Sequence, residues 1–347
     1  MNRQKSKFSI ITGKTVHDTI FFDSKKIIEI VKRTYIQHFH GETVNPHSSF
    51  LNFPKNLDAR IISLPAYIGG SNPISGLKWI ASYPSNIKHN IPRASATLIL
   101  NDPDTGYPLA CLEASIISAA RTAASAVLGA YYIKQEKPTI SCLGIIGTGM
   151  IASYVLEFFM QTNWNIDQIY LYDLNSKYAQ NFSTKKEQIK DCKVRVGNTL
   201  EEVIQNSDMI VLTTTASTPH VSNPNILKHT PTILNLSLRD LSPEIIVNSY
   251  NVVDDVEHVL QANTSLHLAE KQYGHRNFID ATLPDILANN KKIITPKTII
   301  FSPFGMGILD IAVGQYIYET TTRNNTSIEI NDFFFQADKN VTKDRLL

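Results

Sequence analysis

The stretch TISCLGIIGTGMIASYVLEFF, Thr139 to Phe159, decides the fold. It opens as a short apolar run that closes at Ile146, the pattern of a strand covered on both faces. Gly147-Thr148-Gly149-Met150-Ile151-Ala152 follows, and the apolar spacing then turns helical. In such a strand–turn–helix unit the first glycine makes the tight turn and the second lets a pyrophosphate approach the backbone. The small Ala152 lets helix and strand pack closely. The helix start then offers free N–H groups and a partial positive charge to phosphates. A second strand, QIYLYD, ends in Asp173, where an acidic side chain would accept from adenosine ribose hydroxyls. The bland alternative is a ligand-free glycine turn with Asp173 capping the next helix. Three features in register favour a dinucleotide site formed by Gly147, Thr148, Gly149, Met150, Ile151 and Asp173. Asp173 would repel a 2′-phosphate, and Leu174-Asn175-Ser176 supplies no Arg to receive one, so NAD is expected over NADP.

Outward from this unit, strands and helices keep alternating. SDMIVLTTT, TILNLS and KTIIFSP read as further strands, with a helix from about Gly305 to Thr322. This predicts a Rossmann-type doubly wound parallel sheet over residues 138–314. Upstream, the rhythm is mixed. A helix is expected from about Lys25 to His40, strands at Arg60–Leu64, Gly76–Ile80 and Ser95–Leu100, and a turn at NDPDTGYP. Leu109 to about Lys134 reads as one long Ala-rich helix, and Pro138 closes a linker. The expected organisation is α/β: an α+β substrate-binding and dimerisation domain at 1–137, completed by about 315–347. The tail carrying Phe333–Phe335 is expected to pack back on the first domain or on a partner subunit.

Composition narrows the function classes. Apolar residues make up 43% and charged residues 18% of the 347, which suits a packed enzyme rather than a disordered chain. A net charge of +2 with scattered Lys and Arg points away from nucleic acid. Cys111, Cys142 and Cys192 are far apart, as in a reducing compartment. The N-terminus lacks the apolar core of a signal peptide, and Glu113 and Arg121 interrupt the most apolar stretch. A cytoplasmic protein away from the membrane is expected.

Four cations stand beside apolar runs: Arg60, Lys78, Arg93 and Arg121. Such side chains are rarely buried unless neutralised. They either reach solvent, or pair with Glu113, Asp102 or Asp104, or read a carboxylate substrate. No metal-ligand spacing occurs among the histidines, and no nucleophile elbow is present. ILNLSLRDLSPE, Ile233 to Glu244, ends a strand with Asp240 at the edge where ligands bind in open α/β sheets. Asp240 is either a general base there or the N-cap of the helix that LSPEII would start.

ILNDPDTGYPLACLEASIISAARTAASAVLGAYYI, with GLKWI upstream, the late GTG loop and the closing FSPFGMGILDIA, resembles the ornithine cyclodeaminase/mu-crystallin family. The likeness runs from about Thr34 to Tyr318. It implies an NAD-binding fold, a homodimer, Asp240 and Lys78 as catalytic residues with Lys78 on the substrate carboxylate, Arg121 on the substrate and Thr122 near the cofactor phosphates. The expected site also takes in Ser95 on the substrate side, with Thr214, Ser237 and Gly305 on the cofactor side. Two positions depart from the cyclodeaminase pattern: the substrate Arg of the first strand falls on Ser48, and paired glycines fall on Leu238-Arg239.

Within the family, ARIISLPAYIGG, ISGLKWIAS and RASATLILNDP are most similar to the branch that makes 2,3-diaminopropionate for siderophores or antibiotics. That branch cleaves N-(2-amino-2-carboxyethyl)-L-glutamate oxidatively with NAD, so a small amino-dicarboxylate substrate is implied. The alternatives are ornithine cyclodeamination, alanine dehydrogenase or ketimine reductase chemistry, and a mu-crystallin-like nucleotide-dependent binding protein.

Overall fold

The computed structural model describes residues 7–135, 137–186 and 192–334. One sheet gathers β1 (Phe8–Ile11), β2 (Thr43–Val44), β3 (Ser49–Phe53), β4 (Asn56–Ile68), β5 (Ile74–Ser82), β6 (Ala94–Asn101) and β7 (Pro108–Glu113). A second gathers β8 (Thr139–Ile146), β9 (Asn165–Tyr172), β10 (Lys193–Val196), β11 (Met209–Leu212), β12 (Thr232–Asn235), β13 (Tyr250–Val253), β14 (Ile279–Thr282) and β15 (Ile299–Ser302). The chain then returns to the first sheet, where β16 (Ile328–Ile330) pairs with β1.

The second sheet is parallel throughout, in the order β10-β9-β8-β11-β12-β15-β13-β14. Its central strands β11 and β12 are wholly buried, which accounts for their continuous apolar runs. The strand order reverses between β8 and β11. Their C-terminal ends therefore splay apart and leave a crevice, the place where doubly wound sheets bind dinucleotides. This is the α/β fold expected from Thr139–Phe159.

In the first sheet, β4, β5, β6 and β7 run antiparallel, and their side chains alternate between two environments. Leu64, Lys78, Leu98 and Leu112 share the inner face, against which the helix Gly307–Arg323 packs. Leu51, Ile61, Leu77, Trp79, Ile99 and Cys111 share the outer face, where Leu51 and Trp79 are exposed.

Two expectations need correction. Leu109–Lys134 is not one helix: Pro108–Glu113 is β7, and the helix spans Ser115–Ile133. Ala110 and Leu112 are fully buried while Leu109 and Cys111 are half-buried, a period of two inside an apolar segment. Glu113 then accepts the N–H groups of Ser115 (2.8 Å) and Ile116 (3.2 Å), so its carboxylate starts the helix instead of pairing with a cation. The last helix also begins later than expected, at Gly307.

Ser115–Ile133 is long and apolar enough to cross a membrane, yet it is mostly buried inside the fold. It contacts the helices Ser24–Phe39 and Met150–Gln161 and reaches β12 and β15, so nearly every side of it needs apolar cover. Phe333 stacks on Phe8 with centroids 4.0 Å apart, and Phe334 lies edge-on to Tyr107 at 5.1 Å. The tail thus packs on the first lobe as far as Phe334; Phe335 lies outside the described residues.

Candidate active site

The crevice beside β8 has the features a dinucleotide requires. Gly147 holds φ +87°, and a Cβ there would come within 2.8 Å of the Thr213 carbonyl at the end of β11. Only glycine fits that turn. At Gly149 an added Cβ would meet nothing within 4 Å, so the backbone faces open space. The helix Met150–Gln161 begins there, and no side chain caps it. Its first N–H groups are free for a phosphate. Asp173 accepts from Thr148 N (2.8 Å) and Thr148 Oγ1 (2.9 Å) through one oxygen and from Asn175 N (3.0 Å) through the other. These bonds fix the carboxylate at the rim of the crevice. Ile151 is half-buried behind it and Met150 is exposed.

Beside this edge, two of the expected cations are buried together. Lys78 Nζ lies 2.6 Å from Asp310 Oδ2, and Arg121 Nε lies 3.2 Å from Asp310 Oδ1. Ser118 Oγ accepts from both, at 3.2 Å from Lys78 and 3.4 Å from Arg121. Asp310 is fully buried on the helix Gly307–Arg323. Burial pushes the Lys78 ammonium down to about 8; the Asp310 charge opposes that shift and the Arg121 charge adds to it.

Gly305 completes the arrangement. It holds φ +93°, its N–H bonds to Asp254 Oδ2 at 2.8 Å, and a Cβ would lie 2.3 Å from Arg121 Nη1. It lies against the Arg121 guanidinium at the end of β15, and Thr122 donates to the Ser118 carbonyl at 2.7 Å within its own helix.

Asp240 is fully buried at the end of β12. Thr214 Oγ1 donates to its Oδ1 at 2.5 Å and the Ser237 hydroxyl donates to its Oδ2. Thr214 and Ser237, expected near the cofactor, thus hold this carboxylate. Asp240 caps no helix; Ser242 is the N-cap of Pro243–Asn248. His220 Nε2 stands 3.5 Å from Asp240 Oδ1, with the histidine side chain 37% exposed, so it connects the buried carboxylate to solvent.

Arg60 lies directly across from Ser82 on the inner face, in line with Lys78. Arg93 Nη1 donates at 2.9 Å to the Oγ of Ser82, the residue that Arg60 faces across the strand pair. Neither pairs with a carboxylate among the described residues. Asp102, one expected partner, instead closes the turn after β6 by accepting from Thr105 N at 2.8 Å. Ser95 does not join them: it is exposed and pairs with Ala81, so strand alternation sends it to the outer face.

Asp310 and His220 were given no role by the sequence. FSPFGMGILDIA contains Asp310, but its apolar neighbours give no sign that the carboxylate turns inward. His220 stands alone, without a partner at helical or strand spacing.

The chain matches the profile of the ornithine cyclodeaminase/mu-crystallin family over residues 9–325. It is 28% identical over 318 residues to the N-((2S)-2-amino-2-carboxyethyl)-L-glutamate dehydrogenase of Staphylococcus aureus, covering 89% of this chain and 94% of that one. The Thermococcus litoralis Δ1-pyrroline-2-carboxylate reductase, solved with NADH and L-proline, superposes with a TM-score of 0.85 at 26% identity, over 93% of this chain and 100% of that one. An archaeal alanine dehydrogenase dimer with bound NAD superposes at 0.83 and 26% identity, over 94% of this chain and 100% of that one. With the crevice, the buried ion cluster and a match over nearly the whole chain, the protein belongs to the ornithine cyclodeaminase/mu-crystallin family.

Proposed function

We propose that the protein is an NAD-dependent amino-acid dehydrogenase that oxidatively cleaves N-(2-amino-2-carboxyethyl)-L-glutamate to 2,3-diaminopropionate and 2-oxoglutarate. One observation carries this reading: four cations, Lys78, Arg121, Arg60 and Arg93, approach the same inner face, and among the described residues Asp310 is the one carboxylate that pairs with any of them. The proposed substrate brings three carboxylates. Ornithine brings one carboxylate and an extra ammonium, which such a site repels.

Bound NAD would supply the two-electron acceptor for the C–H bond beside the substrate's secondary amine. Lys78 and Arg121 hold the carboxylate next to that carbon, and Asp310 fixes both cations before substrate arrives, so little ordering remains at binding. Oxidation leaves a C=N bond, and addition of one water followed by C–N cleavage gives the amine and the keto acid. Asp240 takes the proton from the attacking water, its oxygens aimed by Thr214 and Ser237, and passes it toward solvent through His220. General-base assistance of this kind contributes about 10²–10⁴-fold in rate.

A homodimer across the outer face of the first sheet is part of the proposal. Leu51, Leu77, Trp79 and Ile99 form a half-exposed apolar surface there, and the alanine dehydrogenase relative is a dimer. Cys111, Cys142 and Cys192 are all free thiols, in keeping with the cytoplasm.

The test is to supply NAD and follow the near-ultraviolet absorbance of its reduced form. Sustained reduction with the carboxyethyl-glutamate, matched mole for mole by 2-oxoglutarate, is expected. Reduction with alanine or ornithine, and none with the carboxyethyl-glutamate, overturns the proposal. Asp240→Asn should lose turnover and keep NAD affinity; unchanged turnover would favour a binding protein.

A further inference from the structure

Arg239 follows a backbone turn that residues with side chains rarely make. Leu238 holds φ +69°, and the loop it touches holds Ala262 at +52° and Asn263 at +53°. The two loops are clamped: Ser265 N donates to Leu238 O at 2.7 Å, and Arg239 Nε and Nη2 donate to Ala262 O at 3.1 and 2.7 Å. Left-handed residues that persist in contact with one another mark a surface whose shape is held by its surroundings. The turn sends consecutive side chains apart. Asp240 enters the pocket of Thr214 and Ser237, while Arg239 lies along the Ala262 loop with Nη1 making no protein hydrogen bond among the described residues.

The Ala262 loop that holds Arg239 also meets the segment leading into β3, because Gln261 Nε2 lies 2.5 Å from His47 Nδ1, so Arg239 is held on the side that borders the first sheet. The Arg239 guanidinium is held below the ordinary range by burial, then by the charge of Arg60, with Asp240 opposing. Arg93 is lowered in the same way, by burial and then by Arg60. Arg60 is thus the charge felt by both; it lies across from Ser82, which Arg93 bonds, and its Nε is buried without a hydrogen-bond partner among the described residues. None of the three forms an ion pair among the described residues. Half-buried cations gathered with no ion pair of their own repel one another, and an anion bound among them relieves that penalty. Guanidinium groups suit carboxylates because their paired N–H groups match both oxygens.

We propose that Arg239, presented by the nucleotide-binding lobe, joins Arg60 and Arg93 of the first sheet in a receptor for the substrate's distal carboxylates, and that this receptor selects polycarboxylate amino acids over compact ones. Lys78 and Ser82 are four strand positions apart, so the two carboxylate stations lie about 13 Å apart along β5 at their Cα atoms. A branched tricarboxylate engages both stations; proline or alanine, with one carboxylate, engages only the Lys78–Arg121 station. Because Arg239 comes from the opposite lobe, an extended substrate also ties the lobes together beside Asp240. This inference rests on the proposed dehydrogenase reading for its substrate, and deepens it.

Propane-1,2,3-tricarboxylate and acetate serve as binding probes that require no turnover, titrated calorimetrically into the NAD-loaded protein. Arg239→Gln is expected to weaken tricarboxylate binding about 10- to 100-fold, the worth of a charge-assisted hydrogen bond, and to leave acetate and NAD affinities unchanged. Arg60→Gln, on the other lobe, should show the same selective loss, which guards against an Arg239 variant that merely loosens the Ala262 loop. With the carboxyethyl-glutamate, both variants should raise KM by a larger factor than they lower kcat. The receptor is refuted if both variants bind the tricarboxylate within about twofold of the parent, or if NAD affinity falls in parallel with it. Absence of turnover in the parent protein, with selective tricarboxylate loss in both variants, would sink the dehydrogenase substrate and leave the receptor standing.

Discussion

Asp310→Asn separates the contributions of the two buried cations. Asn keeps one acceptor oxygen and turns an N–H donor toward the other cation, so Lys78 and Arg121 lose their shared charge partner. Breaking such a buried pair by removing one member costs about 3–5 kcal/mol in general. Lys78, however, has an escape: it can shed its proton. Its pKa is already down at about 8 with Asp310 present, against 10.5 for a free lysine. Losing the opposing Asp310 charge lowers it further. Lys78 then sheds its proton at a lower pH than in the parent, which limits the lysine's share of the loss to about 1–2 kcal/mol, the worth of roughly one pKa unit. Arg121 carries the remainder.

The sign of the pH dependence follows. The folded-state pKa is lowered, so deprotonating conditions relieve the burial cost. The parent begins to gain stability with pH near 8, whereas in the variant the rise begins at lower pH. The gap between the two proteins should therefore narrow by about 1–2 kcal/mol between pH 7 and pH 9.5. Urea unfolding of both proteins at the two pH values measures it. A gap that is absent, or of equal size at both pH values, refutes the charge-paired cluster.

Three further outcomes are expected. If a charged Lys78 binds the substrate carboxylate, kcat/KM should fall as pH rises through about 8, while the limb in kcat moves to higher pH because bound carboxylate stabilises the ammonium; a flat kcat/KM up to pH 10 would contradict this. Gly305→Ala adds a Cβ 2.3 Å from Arg121 Nη1 at φ +93°, so KM should rise about tenfold or more from a displaced guanidinium, with about 1–2 kcal/mol of stability lost; wild-type kinetics would remove Arg121 from the site. Trp79→Asp, on the outer face and 42% exposed, should yield a folded monomer by light scattering, and a dimer that survives it would move the interface elsewhere.

How much of this was legible in the sequence depended on the range of the interaction. The Gly147 loop was, because strand, turn and helix start are contiguous. Lys78 and Arg121 were legible as anomalies, cations inside apolar runs, but their partner was not. Asp310 lies 232 positions from Lys78, and no local spacing joins them. Ser95 failed for a different reason. Its place on β6 was expected, yet only the register against Ala81 reveals that it turns away from Lys78. The same register aligns Arg60 with Ser82, and Arg93 reaches that hydroxyl from outside the strand. Leu109–Glu113 was misread because small apolar residues satisfy both periods at once, and the deciding Glu113 cap acts on the helix that follows.

Leu238-Arg239 joins the local and the long-range arguments. A leucine at φ +69° costs about 1–2 kcal/mol relative to an ordinary conformation, a cost that glycine avoids. Leu238 is also 8% exposed, and burying a leucine contributes about 1.5–3 kcal/mol. The burial therefore offsets the strain, and the Ser265–Leu238 hydrogen bond adds to the balance. A glycine pair would make this turn freely but would bring neither the buried side chain nor the guanidinium. The turn at Leu238 delivers Asp240 to Thr214 and Ser237, and in the proposed receptor it sets Arg239 toward Arg60. The strain sits on Leu238 and is offset by that residue's own burial, so in the proposed receptor the charge at Arg239 can be changed with little change in the balance that holds the turn.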